Sequence, residues 1–268
     1  MTPIALSNWD LALAALLILI NGALSILLSL GLERQLFIAT LRMIVQLILV
    51  GLVLTTLFSL VSPGWTALAA FAMVAFAGRE VAARQERRLT GGWSYGLGTA
   101  CVLFAAGLVT VFALATQVGP DPWYHPRYAI PLLGMVLGNT MTGVSLGLHT
   151  LTSNLTRERA AVEARLMLGA NRREALLPVT RAALKAAMMP IINSMAATGL
   201  VALPGMMTGQ ILAGADPSEA VKYQILVMFL IAGGTAIGAT GVVLAGGRRL
   251  TDSRHRLRLD RLHPLRSV

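Results

Sequence analysis

The chain has 268 residues, of which 56% are hydrophobic and 13% charged, and its mean hydropathy is +0.71. Soluble domains carry about 25% charged residues, so this composition argues against water-soluble folding. The formal charge of +10 is spread between apolar runs rather than gathered on a polar domain, which argues against a nucleic-acid partner.

A spanning helix needs about 20 mostly apolar residues. Runs near 9–31, 36–61, 64–78, 95–118, 130–150, 187–212 and 222–247 predict an all-α, polytopic membrane protein of about seven transmembrane helices. The first run is too long for the apolar core of a signal peptide and has no basic flank, so it reads as a retained span. Ser7 and Asp10 precede it at capping-box spacing. The third run is short. Gly119–Tyr128 reads as a turn-rich connection with interfacial Trp123 and Tyr124. The sixth run is interrupted by Pro204-Gly205, and Asp216-Pro217-Ser218-Glu219 sets a cap, an N1 proline and an N3 acid before the seventh.

Seven spans place the termini on opposite faces. With the N-terminus outside, 19 of the 22 basic residues fall in inside segments, against Arg127 and Lys222 outside and Arg42 within the second span. The positive-inside bias therefore predicts N-out, C-in, in a bacterial-type inner (plasma) membrane. Residues 1–247 make the transmembrane domain, with a long inside loop at about 151–186. Residues 248–268 form a basic tail, either a solvated orientation signal or a segment lying along anionic headgroups.

Polar groups within the spans are few, and each has two readings. Arg42 has Gln46 at i+4; it either snorkels to the inner interface or forms a gate or helix-tying pair with Glu80 or Glu33. Asn139, Thr142 and Ser145 recur every three residues, as a hydrated stripe or as interhelical hydrogen-bonding groups, while Gly134 and Gly138 read as close-packing positions. Asn193 and Ser194 precede Pro204–Gln210, where a helix can break only if its freed backbone groups meet protein or water. Met206 and Met207 are thioethers that suit soft metals or serve as apolar filler.

Other candidates are weaker. Asp121, Tyr124 and His125 form either an exit site or an ordinary interfacial loop. The four histidines have no paired metal-binding spacing, and the lone Cys101 offers no disulfide framework. Gly143-Val144-Ser145-Leu146-Gly147 matches the nucleophile-elbow pattern, with His149 nearby, yet an elbow needs a strand-to-helix turn and this segment lies in a helical run.

The inside loop is the most informative polar stretch. An amphipathic segment bearing Glu163-Ala164-Arg165 reaches Gly169, and Asn171 with Glu174 has the spacing of an N-cap and its N3 acid. This reads as helix, glycine turn, helix, with Pro178 kinking or restarting the second helix. Glu163-Ala164-Arg165, Leu166-Met167-Leu168, Gly169-Ala170 and Leu177-Pro178 resemble the coupling loop of ABC transporter permeases. Arg165 and the early proline depart from the usual pattern.

Three longer stretches extend the likeness: Arg42-Met43-Ile44-Val45-Gln46-Leu47, Pro131 to Gly143, and Gly199 to Gln210. They resemble the FetB-type iron-export permease family, which includes plant proteins linked to aluminium tolerance, over about Arg42 to Val243. The resemblance implies a permease homodimer working with a separate cytoplasmic ATPase. Glu163, Ala164, Gly169 and Ala170 would then couple to that ATPase. Arg42, Gln46, Asn139, Thr142, Ser145, Asn193, Met206, Met207 and Gln210 would be candidates for the substrate path or gate. The two lysines, Lys185 and Lys222, follow Leu and Val, so no glycine-rich phosphate loop ending in Gly-Lys-Ser/Thr exists here. ATP and magnesium are expected in the partner, with no cofactor on this chain. The rival expectations are an exporter of an organic or metal-chelate solute and an ATP-independent channel or secondary transporter.

Overall fold

The structure is a computed structural model that describes residues 7–252 and 254–264. Its helices run in the order α1 (Asn8–Leu27), α2 (Glu33–Leu60), α3 (Pro63–Ala83), α4 (Trp93–Ala113), α5 (Pro126–Arg157), α6 (Arg159–Met167), α7 (Arg172–Ala197), α8 (Gly205–Leu212) and α9 (Pro217–Arg249). Seven of them, all but α6 and α8, are long and apolar enough to cross a membrane. The third span is complete: the 21 residues of α3 extend about 31 Å at 1.5 Å per residue.

The helix starts follow local chemistry. Ser7 and Asp10 form a reciprocal capping box on α1, as do Asn171 and Glu174 on α7. The Asp216 carboxylate accepts the backbone N–H groups of Ser218 and Glu219 at the start of α9. Each arrangement satisfies amide donors that the helix itself leaves unpaired.

The sixth span differs from the 187–212 run. Helix α7 begins at Arg172, passes through Pro178 and Pro190, and ends at Ala197; the chain then turns through 198–204 into the separate short helix α8. Pro178 neither ends nor restarts α7. Its missing N–H would have bonded the carbonyl of Glu174, which lies in the exposed first turn where water can take its place. The apolar run deceived because it bridged a turn whose Leu200 and Val201 are themselves exposed.

Helices α5 and α9 form the centre, with α3, α4 and α7 packed around them. Small residues permit the close approach. The Thr235 methyl of α9 occupies the space a side chain on Gly143 of α5 would need, and the Thr140 methyl of α5 lies 2.7 Å from where a Cβ on Gly238 would stand. Gly143 and Gly238 are thus close-packing positions of this contact, and a Cβ on Gly134 would stand 3.3 Å from the Met73 side chain of α3, whereas Gly138 faces open space. Without a hydrophobic drive between helices in lipid, such close van der Waals contact carries much of the association.

Helices α1 and α2 form a hairpin at the side of this body. Among the described residues their buried side chains are Ser25 and Leu57. Ser25 Oγ donates to Glu33 and accepts from the Leu32 N–H, closing the hairpin turn. Helix α2 is tied to α3 by the Arg42–Glu80 ion pair, and the Arg127 guanidinium lies over the Phe58 ring at 5.9 Å.

The basic tail is folded rather than laid out as a solvated arm. Leu250 is fully buried, and Leu257, Leu259 and Leu262 join the core cluster. The tail meets the α3–α4 turn through Thr90 N–H to the Arg261 carbonyl at 2.9 Å and His263 N–H to the Arg88 carbonyl at 2.8 Å. Arg261 donates to the Arg249 carbonyl at 2.7 Å, and the Arg249 guanidinium sits 4.6 Å from the Trp93 ring centroid. Arg266, counted above with the tail, lies outside the described residues.

Candidate functional site

Four regions carry the candidate residues, the last being the Arg42 face of α2. The first is the α6 turn. Helix α6 is anchored by Val162, which is fully buried, while Met167 and Leu168 are 82% and 87% exposed. Glu163 accepts from Arg159 at 2.8 Å on the preceding turn, and Ala164 is exposed beside it. Gly169 takes φ +91, and its N–H bonds Leu166 O while that of Ala170 bonds Arg165 O. This left-handed stop closes α6 and leaves two large apolar side chains projecting from a polar, extramembrane corner. The sequence reading did not single out this pair, although Met167 and Leu168 break the amphipathic pattern just ahead of the glycine.

The second region is the face of α5 that no other helix covers. Gly138 and Asn139 are exposed and Thr142 is half-buried. Asn139 and Thr142 turn a donor back onto the carbonyls of Met135 and Gly138, so the Asn139 carbonyl oxygen stays available. Ser145 does not continue this face. A step of three residues falls about 60° short of a full turn, so two steps rotate Ser145 about 120° into the core. There Gln85, 2% exposed, donates from Nε2 to Ser145 O at 3.2 Å and Oγ at 3.4 Å. Ser145 is therefore a tie between α5 and the end of α3. Its segment is continuous helix, without the elbow that nucleophilic catalysis requires.

The third region is the α7–α8 end. Asn193 and Ser194 are exposed on the last turns of α7. In α8, Met206 packs against the core cluster, Met207 is half-buried, and the Gln210 Oε1 is buried without a hydrogen-bond partner among the described residues. A Schellman-type stop follows at Gly214, whose φ is +93, with Gly214 N–H on Ile211 O and Ala215 N–H on Gln210 O.

Arg42 has a resolved partner. Its guanidinium reaches the Glu80 carboxylate at 2.5 Å, and Glu33 instead accepts from Ser25. Gln46 is exposed on the same face of α2. His125 caps α5 by accepting from Arg127 N–H, and Tyr124 stacks edge-on with Trp123 at 5.9 Å, so neither joins Asp121 in a polar cluster. Among the described residues no group of three or more His, Cys, Asp or Glu side chains is gathered for a metal.

The family model described as "Uncharacterised protein family (UPF0014)" matches residues 8–251. A UPF0014 membrane protein of Synechocystis sp. is 41% identical over 209 residues, covering 76% of this chain and 78% of the relative. The Protein ALUMINUM SENSITIVE 3 of Arabidopsis thaliana is 33% identical over 232 residues, or 85% of this chain and 81% of the relative. The probable iron export permease protein FetB of Escherichia coli is 31% identical over 257 residues, covering 96% and 97%. No solved structure matches. With the family match running from the first helix into the tail, and seven apolar helices to carry it, the chain belongs to the UPF0014 family of multi-pass membrane proteins.

Proposed function

We propose that this chain is the permease subunit of an ABC exporter, moving iron or another metal ion out of the cytoplasm with energy from a separate ATPase subunit. The observation that carries the coupling is the α6 corner. Met167 and Leu168 stand exposed outside the spans on a helix anchored by buried Val162, a form suited to a hydrophobic socket on a partner. Large apolar side chains exposed to water are costly unless covered. The relative named as a probable iron export permease supports the substrate class, and the arginine-rich end of the bundle supports an N-out, C-in orientation in an inner membrane.

Two copies working with two ATPases would enclose the substrate path. The uncovered faces bearing Gln46, Asn139, Thr142 and Asn193 would line it, with the Arg42–Glu80 pair towards its inner mouth. ATPase closure would press on 155–170 and, because α6 runs through a tight turn into α7, reorient α5 and α7 around the path. ATP and magnesium bind in the partner, and no chemistry is performed on the substrate.

The test is reconstitution with the co-purified ATPase in sealed vesicles, following ATP-dependent movement of ferrous iron against other metals and an organic solute. Organic-solute transport without metal movement would remove the iron reading and leave the permease reading. Met167→Asp with Leu168→Asp is expected to lower transport-linked ATP hydrolysis at least tenfold while leaving the permease folded. Glu163→Arg should weaken coupling too. Full coupling in both variants would sink the docking role of α6.

A further inference from the structure

A groove of about 400 Å3 opens between the first turns of α7 and the last turns of α9, within the roughly 300–1,000 Å3 typical of small-ligand sites. Its rim carries Arg172, Arg173 and Arg248; Leu177 and Leu244 are among its walls, and Thr180 and Thr251 lie along it. No carboxylate lines it. Among the described residues none of the three arginines is ion-paired.

The nearest acids are already engaged. Glu174 accepts the Asn171 N–H in the α7 cap, and Asp252 holds Arg256 and two backbone N–H groups of the tail. The α7 amides are used as well, since Arg172 N–H donates to His255 Nδ1 at 3.2 Å and the next two donate to Asn171. Three arginines without an acidic partner among the described residues therefore line an opening large enough for a headgroup. Leu177 and Leu244 are 42% and 50% exposed, so the apolar walls of the groove are open rather than covered by another helix.

We propose that this groove binds an anionic phospholipid from the arginine-rich leaflet, its phosphate between Arg172, Arg173 and Arg248 and an acyl chain along Leu177 and Leu244. Guanidinium suits phosphate because its planar fork donates two parallel hydrogen bonds. The apolar walls favour a lipid over a free anion, because a free phosphate would leave them uncovered. The site lies on the two helices that follow α6 and precede the tail. It is independent of what the permease moves.

The test uses the full chain in neutral detergent with equal amounts of phosphatidylglycerol and phosphatidylcholine, read by native mass spectrometry. Phosphatidylglycerol should be retained preferentially, and its retention should fall about fivefold for each guanidinium removed in Arg248→Gln and in the Arg172→Gln, Arg173→Gln, Arg248→Gln variant. Removing Arg34, Arg84 and Arg87 in the same way should change it less than twofold. Leu177→Asn should weaken lipid retention as well.

Three results would overturn the site: no preference over phosphatidylcholine, equal loss in the two triple variants, or equal thermal stabilisation by inorganic phosphate alone. Unfolding midpoints in phosphatidylcholine check that each variant is folded, and the single Arg248→Gln variant carries the test if the triple variant is not.

Discussion

Gln85 holds two spans together with one carboxamide. From just past the end of α3 it donates back to Val81 O of that helix and across the interface to Ser145, while its Oε1 has no partner among the described residues. Gln85→Leu keeps the volume and removes the donor, and is expected to lower stability by about 1 kcal/mol, in line with interhelical hydrogen bonds in membranes. Ser145→Ala should cost less, because the backbone carbonyl still accepts. Thermal unfolding in detergent measures both, and a larger loss for Ser145→Ala would contradict this geometry. In the tail, the Arg256 N–H on Asp252 and the Arg258 side chain on Asp260 hold both carboxyls below the ordinary 3.8. Their contribution is therefore complete above that value and lost as pH falls through the lower folded values. Protection factors against hydrogen exchange across 254–264 should hold at neutral pH and fall as pH drops below 3.8; protection that persists unchanged into acid would contradict a bracing role for these carboxylates.

At the scale of elements, the α5–α9 contact depends on absent side chains. A Cβ on Gly238 would meet Thr140 and Val144 at 2.7 and 3.0 Å, both groups within the packed interface. Gly238→Val is expected to destabilise by about 1–3 kcal/mol through overpacking, whereas Gly138→Val, facing open space, should be tolerated in folding. Equal unfolding midpoints would remove Gly238 from the interface. This contrast marks where sequence reading reached its limit. Apolar length was enough to find seven spans, and short-range cap spacing at Ser7, Asn171 and Asp216 was enough to start three of them. Periodicity could not say which of several glycines meets a neighbour, since that depends on rotation against another helix. It also joined the end of α7 to α8, because hydropathy sums side chains and is blind to the turn at 198–204.

At the scale of the whole molecule, α1 and α2 are apolar and almost wholly uncovered, as is the Asn139 face of α5. Lipid can cover leucines at no cost, but exposed Gln46 and Asn139 are better served by water or a second copy. The proposed dimer makes this measurable, because the chain has one cysteine. In a Cys101→Ser background, Gln46→Cys or Asn139→Cys should give dimers with a short bis-maleimide, while Phe104→Cys, on the exposed face of α4, should not. Monomer at the first two positions would rule out a path shared between copies. The candidate-site residues were legible as polar exceptions in apolar runs, as with Arg42, yet their grouping was not: Ser145 turned inward and the α6 corner needed the fold to become prominent.

The folded tail has a practical corollary. It touches the α3–α4 turn, the end of α9 and, through His255, the first amide of α7, so it works as a three-point brace beneath the bundle. Shortening the chain at Gly247 would free the start of α7 and the α3–α4 turn together. A purification handle fused directly after residue 264 would load the same brace, and one placed ahead of α1 would leave it undisturbed.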